Sequence, residues 1–326
     1  AVVVIVALCA MVAATSSFAQ SVIKIGANWT LADVTGVEGS KAAQLAVDEI
    51  NAAGGVLGRK LLLYVVDDEG KGDKGVAAIE KLVTVDKVDI LMGGMASGVQ
   101  LAQIPTLKKY GIVTVATGAA ASATVEKALG PSPESDFYFH LHPWDYNQGQ
   151  SYFDGWNAII AKYPNVKIGK IFLAYEEGAF GKASFDASKV IFGTQFQIDG
   201  APFKSALMGG SDYSGMLEAA KAYKPDLFLW AGYAQDAIPI LQEARNDPKT
   251  RAQCNLYIGR CFFEKGYFSQ AIDVLHEAIG TYETPDDGIG KDMHYRLGRA
   301  YEANDQRDDA LKIYGQLIQW DYNYRK

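Results

Sequence analysis

Cysteine is scarce in this chain, and the little there is excludes a disulfide scaffold. Three cysteines occur in 326 residues. Cys9 sits in the first apolar stretch, while Cys254 and Cys261 fall on one predicted helix. Seven residues of helix hold that second pair about 10 Å apart along the axis, too far for a bridge. Neither spacing is that of a zinc or redox site, so both are read as half-buried helix residues. Excess positive charge is also missing: 31 Lys and Arg stand against 38 Asp and Glu, a net charge of -7. This balance removes the basic footprint of a nucleic-acid binder, and no basic run points to an anionic membrane surface. Catalytic grammar is absent too. The turn Gly93-Gly94-Met95-Ala96-Ser97-Gly98 is neither a dinucleotide fingerprint nor a Walker loop, and Ser97 stands one place late for a nucleophile elbow. His140 and His142 alternate on a strand with no third metal ligand evident, and a satisfied structural pair is the better reading. Asp67 and Asp68 would face opposite ways if extended, and Asp145 and Glu177 have no suggested partner. With no nucleophile–base–orienter set, the expectation is a protein that catalyses nothing and needs no metal or cofactor.

What is present begins with AVVVIVALCAMVAATSSFAQ, a segment without charge. Its apolar stretch, Ala1 to Ala14, is shorter than the roughly 20 residues that span a bilayer. Small residues ending in Ser17-Phe18-Ala19 make an A-x-A-like cleavage site before Gln20. Residues 1–20 are therefore read as a signal peptide whose own start is truncated, and the protein as exported across a membrane.

From Ser21 short apolar runs alternate with helical patterns. Strands are expected at Val22 to Ala27, Leu61 to Val66, Val88 to Met92 and Gly111 to Ala116. Helices lie between them, with Ala42, Ala46 and Ile50 recurring at a spacing of four on the first. Near-continuous apolar strands in βαβ order argue a parallel sheet covered on both faces. A Pro/Ser/Gly-rich stretch, Gly130 to Ser135, marks a crossing, and a second series of strands and helices runs to Asn246. The expected organisation is a first α/β lobe over 21–130 and a second over 131–246, both doubly wound.

Beyond Asp247-Pro248 no strand signal remains. Ile258-Gly259, Phe262, Ala271, Leu275 and Ala278 match Leu297-Gly298, Tyr301, Ala310, Tyr314 and Leu317 at a constant offset of 39 residues. Small residues at such points let antiparallel helices approach closely while larger ones fill the seam. The tail 247–326 therefore resembles a pair of tetratricopeptide repeats, with a longer link than the usual 34-residue unit. Two repeats are few for independent stability, so the tail is expected to dock on something or to continue.

The 93–98 turn enters a helix, where free backbone N–H groups make an anion site to which Ser97 adds a hydroxyl. A bare helix-start turn is the competing reading. Its companion, Thr117 to Ser122, follows the next strand, which puts both loops at one carboxyl edge where open α/β sheets bind ligands.

Three stretches carry a family resemblance: AVDEINAAGGVLGRKLLLYVVDDEG, DKVDILMGGMASG and SDYSGMLEAAKAYKPDLFLWAGYAQDA. Residues 22 to 246 resemble the type I periplasmic-binding family of leucine/isoleucine/valine-binding proteins that feed ABC importers. The resemblance implies two lobes closing on an amino acid or related small carboxylate, with an inner-membrane ABC permease as partner and the periplasm as location. It places the ligand's carboxylate and ammonium at Ser97 and the Gly118 to Ala120 loop, with Phe180 and Tyr233 contributed by the second lobe. Ala120 stands where the family often has Thr, and Ser122 is the candidate substitute. On its own, Phe180 reads equally well as a core cap and Tyr233 as a strand end. The family pattern stops near Asn246, before the last strand of the second lobe, its acidic pocket residue and the return to the first lobe. The tail is then expected to cover a sheet edge that would otherwise lie open. A true fusion and a chimeric gene product are both consistent with this break. The alternative function is a protein-interaction scaffold, with the tail binding a protein partner and the front half inert.

Overall fold

The computed structural model describes residues 22–248 and 250–324, so the segment read as a signal peptide lies outside the described residues. No helix among the described residues is long and apolar enough to cross a membrane. The chain divides after Trp144 into two compact units.

The first unit is built on strands β1 (Ile23–Trp29), β2 (Leu61–Asp67), β3 (Ile90–Gly93), β4 (Thr114–Ala116) and β5 (Tyr138–His140). They form one sheet in the order β2-β1-β3-β4-β5, every neighbour parallel. Its helices are α1 (Val34–Ala52), α2 (Gly72–Lys81) and α3 (Ser97–Tyr110). Asp33 caps α1 by accepting the Thr35 N–H at 2.8 Å, which satisfies one of the orphan donors of a helix start. Ile79 of α2 and Leu107 of α3 meet Leu82, Val88 and Leu91 in one core. The chain order reverses between β1 and β3, so the carboxyl ends of those strands flank a switch point of the kind where such sheets bind ligands.

One boundary differs from the expectation. The segment Asp136 to His142, assigned from sequence to the second lobe, contributes β5 to the first sheet, with Thr114 paired to Tyr138 and Ala116 to His140. The Pro/Ser/Gly-rich stretch is a connection within this unit rather than a crossing between two. Its composition marks a loop but says nothing of which strand the chain pairs with next.

The second unit starts with helix α4 (Asp145–Lys162), followed by β6 (Lys170–Glu176), α5 (Ala179–Phe192), β7 (Gln197–Phe203), α6 (Ser214–Tyr223), β8 (Leu227–Ala231) and α7 (Ala234–Ala244). The sheet is parallel with order β7-β6-β8, so β6 is its one interior strand. Alternate side chains of β6 go to opposite faces, as the period of two requires. Phe172 and Ala174 pack with Met216 and Ala220 of α6 and Ile240 of α7, while Ile171 packs with Phe192 and Phe196.

The tail follows as α8 (Arg251–Glu264), α9 (Phe268–Gly280), α10 (Gly288–Ala303) and α11 (Arg307–Trp320). The 39-residue offset has a direct structural meaning. A Cβ added to Gly259 would lie 2.5 Å from Leu275, and one added to Gly298 would lie 2.4 Å from Tyr314. At each point a bare backbone admits the large side chain of the next helix, and Leu275 and Tyr314 are equivalent positions of the two repeats. Cys254 is buried on α8 and Cys261 half-buried, both as free thiols.

The tail joins the second lobe by packing α8 against α7. It does not cover the sheet edge as expected. Among the described residues no strand pairs with the outer side of β8, and Phe228 and Trp230 remain 39% and 37% exposed. Docking through α7 buries the tail's own surface on a helix, and this leaves the strand edge as it was.

Candidate functional site

In the first unit the two loops expected to form the site are stapled together. Thr117 N–H donates to Gly93 O at 2.9 Å, Ala119 N–H to Met95 O at 2.9 Å, and Ala121 N–H to Ser97 Oγ at 3.2 Å. Gly118 is obligatory at this approach, since a Cβ there would fall 2.4 Å from Gly94 O. Ala119 takes the left-handed region, φ 63°, which costs a non-glycine residue about 1–2 kcal/mol. The staples consume alternate N–H groups and leave those of Gly118 and Ala120 with no acceptor among the described residues. The first turn of α3 adds further N–H donors and its partial positive charge beside them. Ser97 opens that helix, is fully buried, and accepts from Ala121. Its own O–H remains available as a donor. Ala120 is buried as well, 3% exposed, and presents only backbone polarity. Ser122, the candidate substitute, opens the helical turn Ser122–Glu126.

His140 also holds this loop. Its Nε2–H donates to Gly118 O at 2.8 Å, and its ring stacks on Trp144 with centroids 3.6 Å apart. Burial holds its pKa below the ordinary value, which keeps the ring neutral and suited to that bond. His142 is half-buried, and among the described residues no group of three metal-binding side chains gathers here or elsewhere.

In the second unit Phe180, the second residue of α5, faces Tyr233, the N-cap of α7, with ring centroids 5.8 Å apart. Both stand at the carboxyl edge of their sheet. Two buried carboxylates fix the loops that carry them, and neither was singled out from the sequence. Glu176, 1% exposed, accepts Gly178 N–H at 2.6 Å and Gly181 N–H at 2.7 Å, thereby bracketing Phe180. Asp236, fully buried, accepts from Ser205 Oγ at 2.7 Å, Tyr213 Oη at 2.8 Å, Ala206 N–H at 2.9 Å and Tyr233 N–H at 3.2 Å. Burial raises the Glu176 pKa, opposed by the backbone N–H groups of Gly181, Gly178 and Phe180 and reinforced by the charge of Asp236. The legible signal for Asp236 is its place three residues after an N-cap, where a carboxylate reaches back to the cap N–H. Glu176 shows only as an acid before Gly-x-x-Gly, which is a weak signal.

Thus the structure gathers Ser97, Gly118 and Ala120 in one unit and Phe180 with Tyr233 in the other. The first set can bind an anionic group through backbone N–H and a hydroxyl. The second offers aromatic surface on rigidly held loops.

The profile of the periplasmic binding protein family matches residues 22–250, and that of the tetratricopeptide repeat matches residues 292–319. The Leu/Ile/Val-binding protein BraC3 of Rhizobium johnstonii is 29% identical over 193 residues, 59% of this chain and 48% of that protein. The chain thus spans about half the length of this relative. Among solved structures, the branched-chain amino acid transporter substrate binding protein LivJ from Streptococcus pneumoniae, in complex with isoleucine, aligns at a TM-score of 0.56. It is 24% identical, covering 69% of this chain and 61% of that one. The leucine binding protein LivK from Thermotoga maritima aligns at 0.57 with 20% identity, covering 69% and 60%. At such identities these two speak for the fold alone. The parallel sheets, the stapled loops at a carboxyl edge and a family profile that spans most of the chain lead to one statement: the chain belongs to the periplasmic binding protein family.

Proposed function

We propose that this protein is an exported solute-binding protein that captures a hydrophobic or branched-chain amino acid, or a related small carboxylate, for an ABC importer. The observation that carries the reading is the pair of free N–H groups at Gly118 and Ala120 beside the first turn of α3 and the Ser97 hydroxyl. Such a cradle matches a carboxylate in charge and in hydrogen-bond sense. On this reading Phe180 and Tyr233 offer aromatic surface to the ligand's side chain. The name of BraC3, a Leu/Ile/Val-binding protein, supports the ligand class. The reading assigns the protein no chemical step, since each group invoked binds or positions. It takes residues 1–20 as the export signal, the first lobe as running to Trp144, the second to about 246, and the remainder as the helical tail. An inner-membrane permease is the partner on this reading, and the tail is a surface for a further protein.

The test is thermal unfolding of the purified, ligand-stripped chain with leucine, isoleucine, valine and other amino acids at millimolar concentration. Ligand linkage predicts a raised transition, by about 2.7 kcal/mol of added stability at a hundredfold excess over Kd. A cooperative transition that no amino acid or small carboxylate moves would refute the reading.

A further inference from the structure

The second unit holds a cavity of about 350 Å³ that the amino-acid reading leaves unused apart from Phe180 on its wall. This volume lies at the lower end of the range for small-molecule sites. Leu173 of β6 and Leu229 of β8 form its floor, and Tyr152, Trp156, Phe192 and Trp230 surround it with aromatic surface. Leu229, Trp230, Ala231 and Gly232 all line it in succession. Side chains of consecutive strand residues point to opposite faces, so the outer edge of β8 itself borders the cavity.

The polar groups are few and of one kind of charge. Asp145, 5% exposed, is the one carboxylic acid lining it, beside Gln148, Ser184 and Ser188. No lysine, arginine or histidine is among the lining residues. Ser184 Oγ is buried with no hydrogen-bond partner among the described residues, although buried hydroxyls are ordinarily paired. A low-dielectric cavity with one acid strongly disfavours an anionic guest. The aromatic side chains that line the same cavity can attract a cation through the ring quadrupole, and an apolar floor favours a hydrocarbon body. We propose that this cavity binds a small organic cation, an ammonium on an aromatic or aliphatic frame, with Asp145 as counter-charge and Ser184 as hydrogen-bond partner. The site lies wholly within the second unit and shares only Phe180 with the amino-acid reading.

The experiment titrates the full chain with 2-phenylethylamine and, separately, with 2-phenylethanol, which has the same frame without the charge. Isothermal calorimetry is the readout, with the intrinsic fluorescence of Trp156 and Trp230 as a second. The expected result is an amine at least about tenfold tighter than the alcohol, with Asp145→Asn abolishing that preference while leaving alcohol binding in place. Ser184→Leu, which puts a larger side chain into the cavity, should abolish binding of both at an unchanged melting temperature. Absence of amine binding at millimolar concentration overturns the proposal. So does equal affinity for the two compounds, a preference that survives Asp145→Asn, or binding that survives Ser184→Leu in a folded protein. If Asp145→Asn fails to fold, the comparison of the two compounds and the Ser184→Leu variant still decide.

Discussion

The two units solve one task, holding a loop at the end of a parallel strand, with opposite chemistry. In the first, His140 donates to the carbonyl of Gly118, and the loops are otherwise stapled backbone to backbone and by the Ala121 N–H that Ser97 Oγ accepts. In the second, Glu176 and Asp236 accept from N–H groups on either side of Phe180 and at Tyr233. The surroundings differ as well. The first sheet has three interior strands and packs Leu91, 1% exposed, among side chains on every side. The second has a single interior strand, and Leu173 of that strand borders an open cavity. A site loop therefore needs no particular residue type to be rigid; it needs a buried group of the right hydrogen-bond sense. The quality of the packing behind it is a separate matter.

The largest expected effect tests the packing half of this comparison. Leu91→Ala should lower the stability of the first unit by about 3–5 kcal/mol, while Leu173→Ala should cost the second nearer 2 kcal/mol. The reason is that Leu173 already lacks contact partners on its cavity side. Urea unfolding with hydrogen exchange resolved for β3 and β6 measures both, and equal losses would show that the cavity is not a packing defect.

A smaller effect separates the two kinds of loop anchor by pH. The folded pKa of His140 lies below its ordinary 6.5, so its contribution to stability is complete above that value. It declines as pH falls from 6.5 through the lowered folded value. Glu176 has the opposite sign. Its folded pKa lies above the ordinary 4.5, so its contribution is complete below 4.5 and lost as pH rises through the raised folded value. On acidification from neutrality the His140 part should weaken the first unit and the Glu176 part should strengthen the second. Buried Asp68, whose pKa burial also raises, adds a strengthening part to the first unit. The His140 part is therefore read as the difference in pH slope between the wild type and His140→Gln, and the Glu176 part from Glu176→Gln. Slopes that match the wild type in both variants would contradict the assignment.

The smallest effect on stability concerns the strand edges of the second sheet. β7 carries Asp199, Gly200 and Pro202, which discourage pairing with another chain, whereas β8 reads Leu-Phe-Leu-Trp-Ala with nothing of the kind. Phe228→Lys gives up part of the stacking of this 39%-exposed ring on Phe172, so it should cost about 1 kcal/mol. It should nonetheless reduce concentration-dependent association seen by sedimentation velocity. An association unchanged by the substitution would mean that the β8 edge is not its origin.

How much of this was legible in the sequence depended on whether the contact partner was near in the chain. The tail repeat was readable because Gly259 with Leu275, and Gly298 with Tyr314, record helix contact as a small and a large residue at fixed spacing. The order of strands and helices was readable from apolar runs. The allegiance of β5 was not, because three residues carry no period and the partner, β4, is chosen by the sheet as a whole. Ser97 was placed at the right helix start, but its acceptance of the Ala121 N–H depends on how two loops fold together. Glu176 and Asp236 escaped notice for a related reason. Most of their partners are backbone N–H groups, and every residue but proline has one, so no side-chain identity advertises them. The uncovered edge of β8 was foreseen as a liability but not as a persistent one, since nothing in the tail sequence specifies that it docks on α7.

The place of β6 at the centre of its sheet also bears on how this unit comes into being. Ile171 pairs with Ile198 on one side and with Leu227 on the other, so β6 must wait for two partners that follow it at increasing distance along the chain. In synthesis from the amino terminus β7 becomes available first, and β8 joins a pair that already exists. The tail helices need only their sequence neighbours and form by local contacts, which is the fast kind of folding. The last strand to arrive is thus followed at once by a segment that folds sooner than it does. The time between the emergence of β8 and its capture by β6 is the interval in which a nascent chain of this protein is most exposed to mispairing.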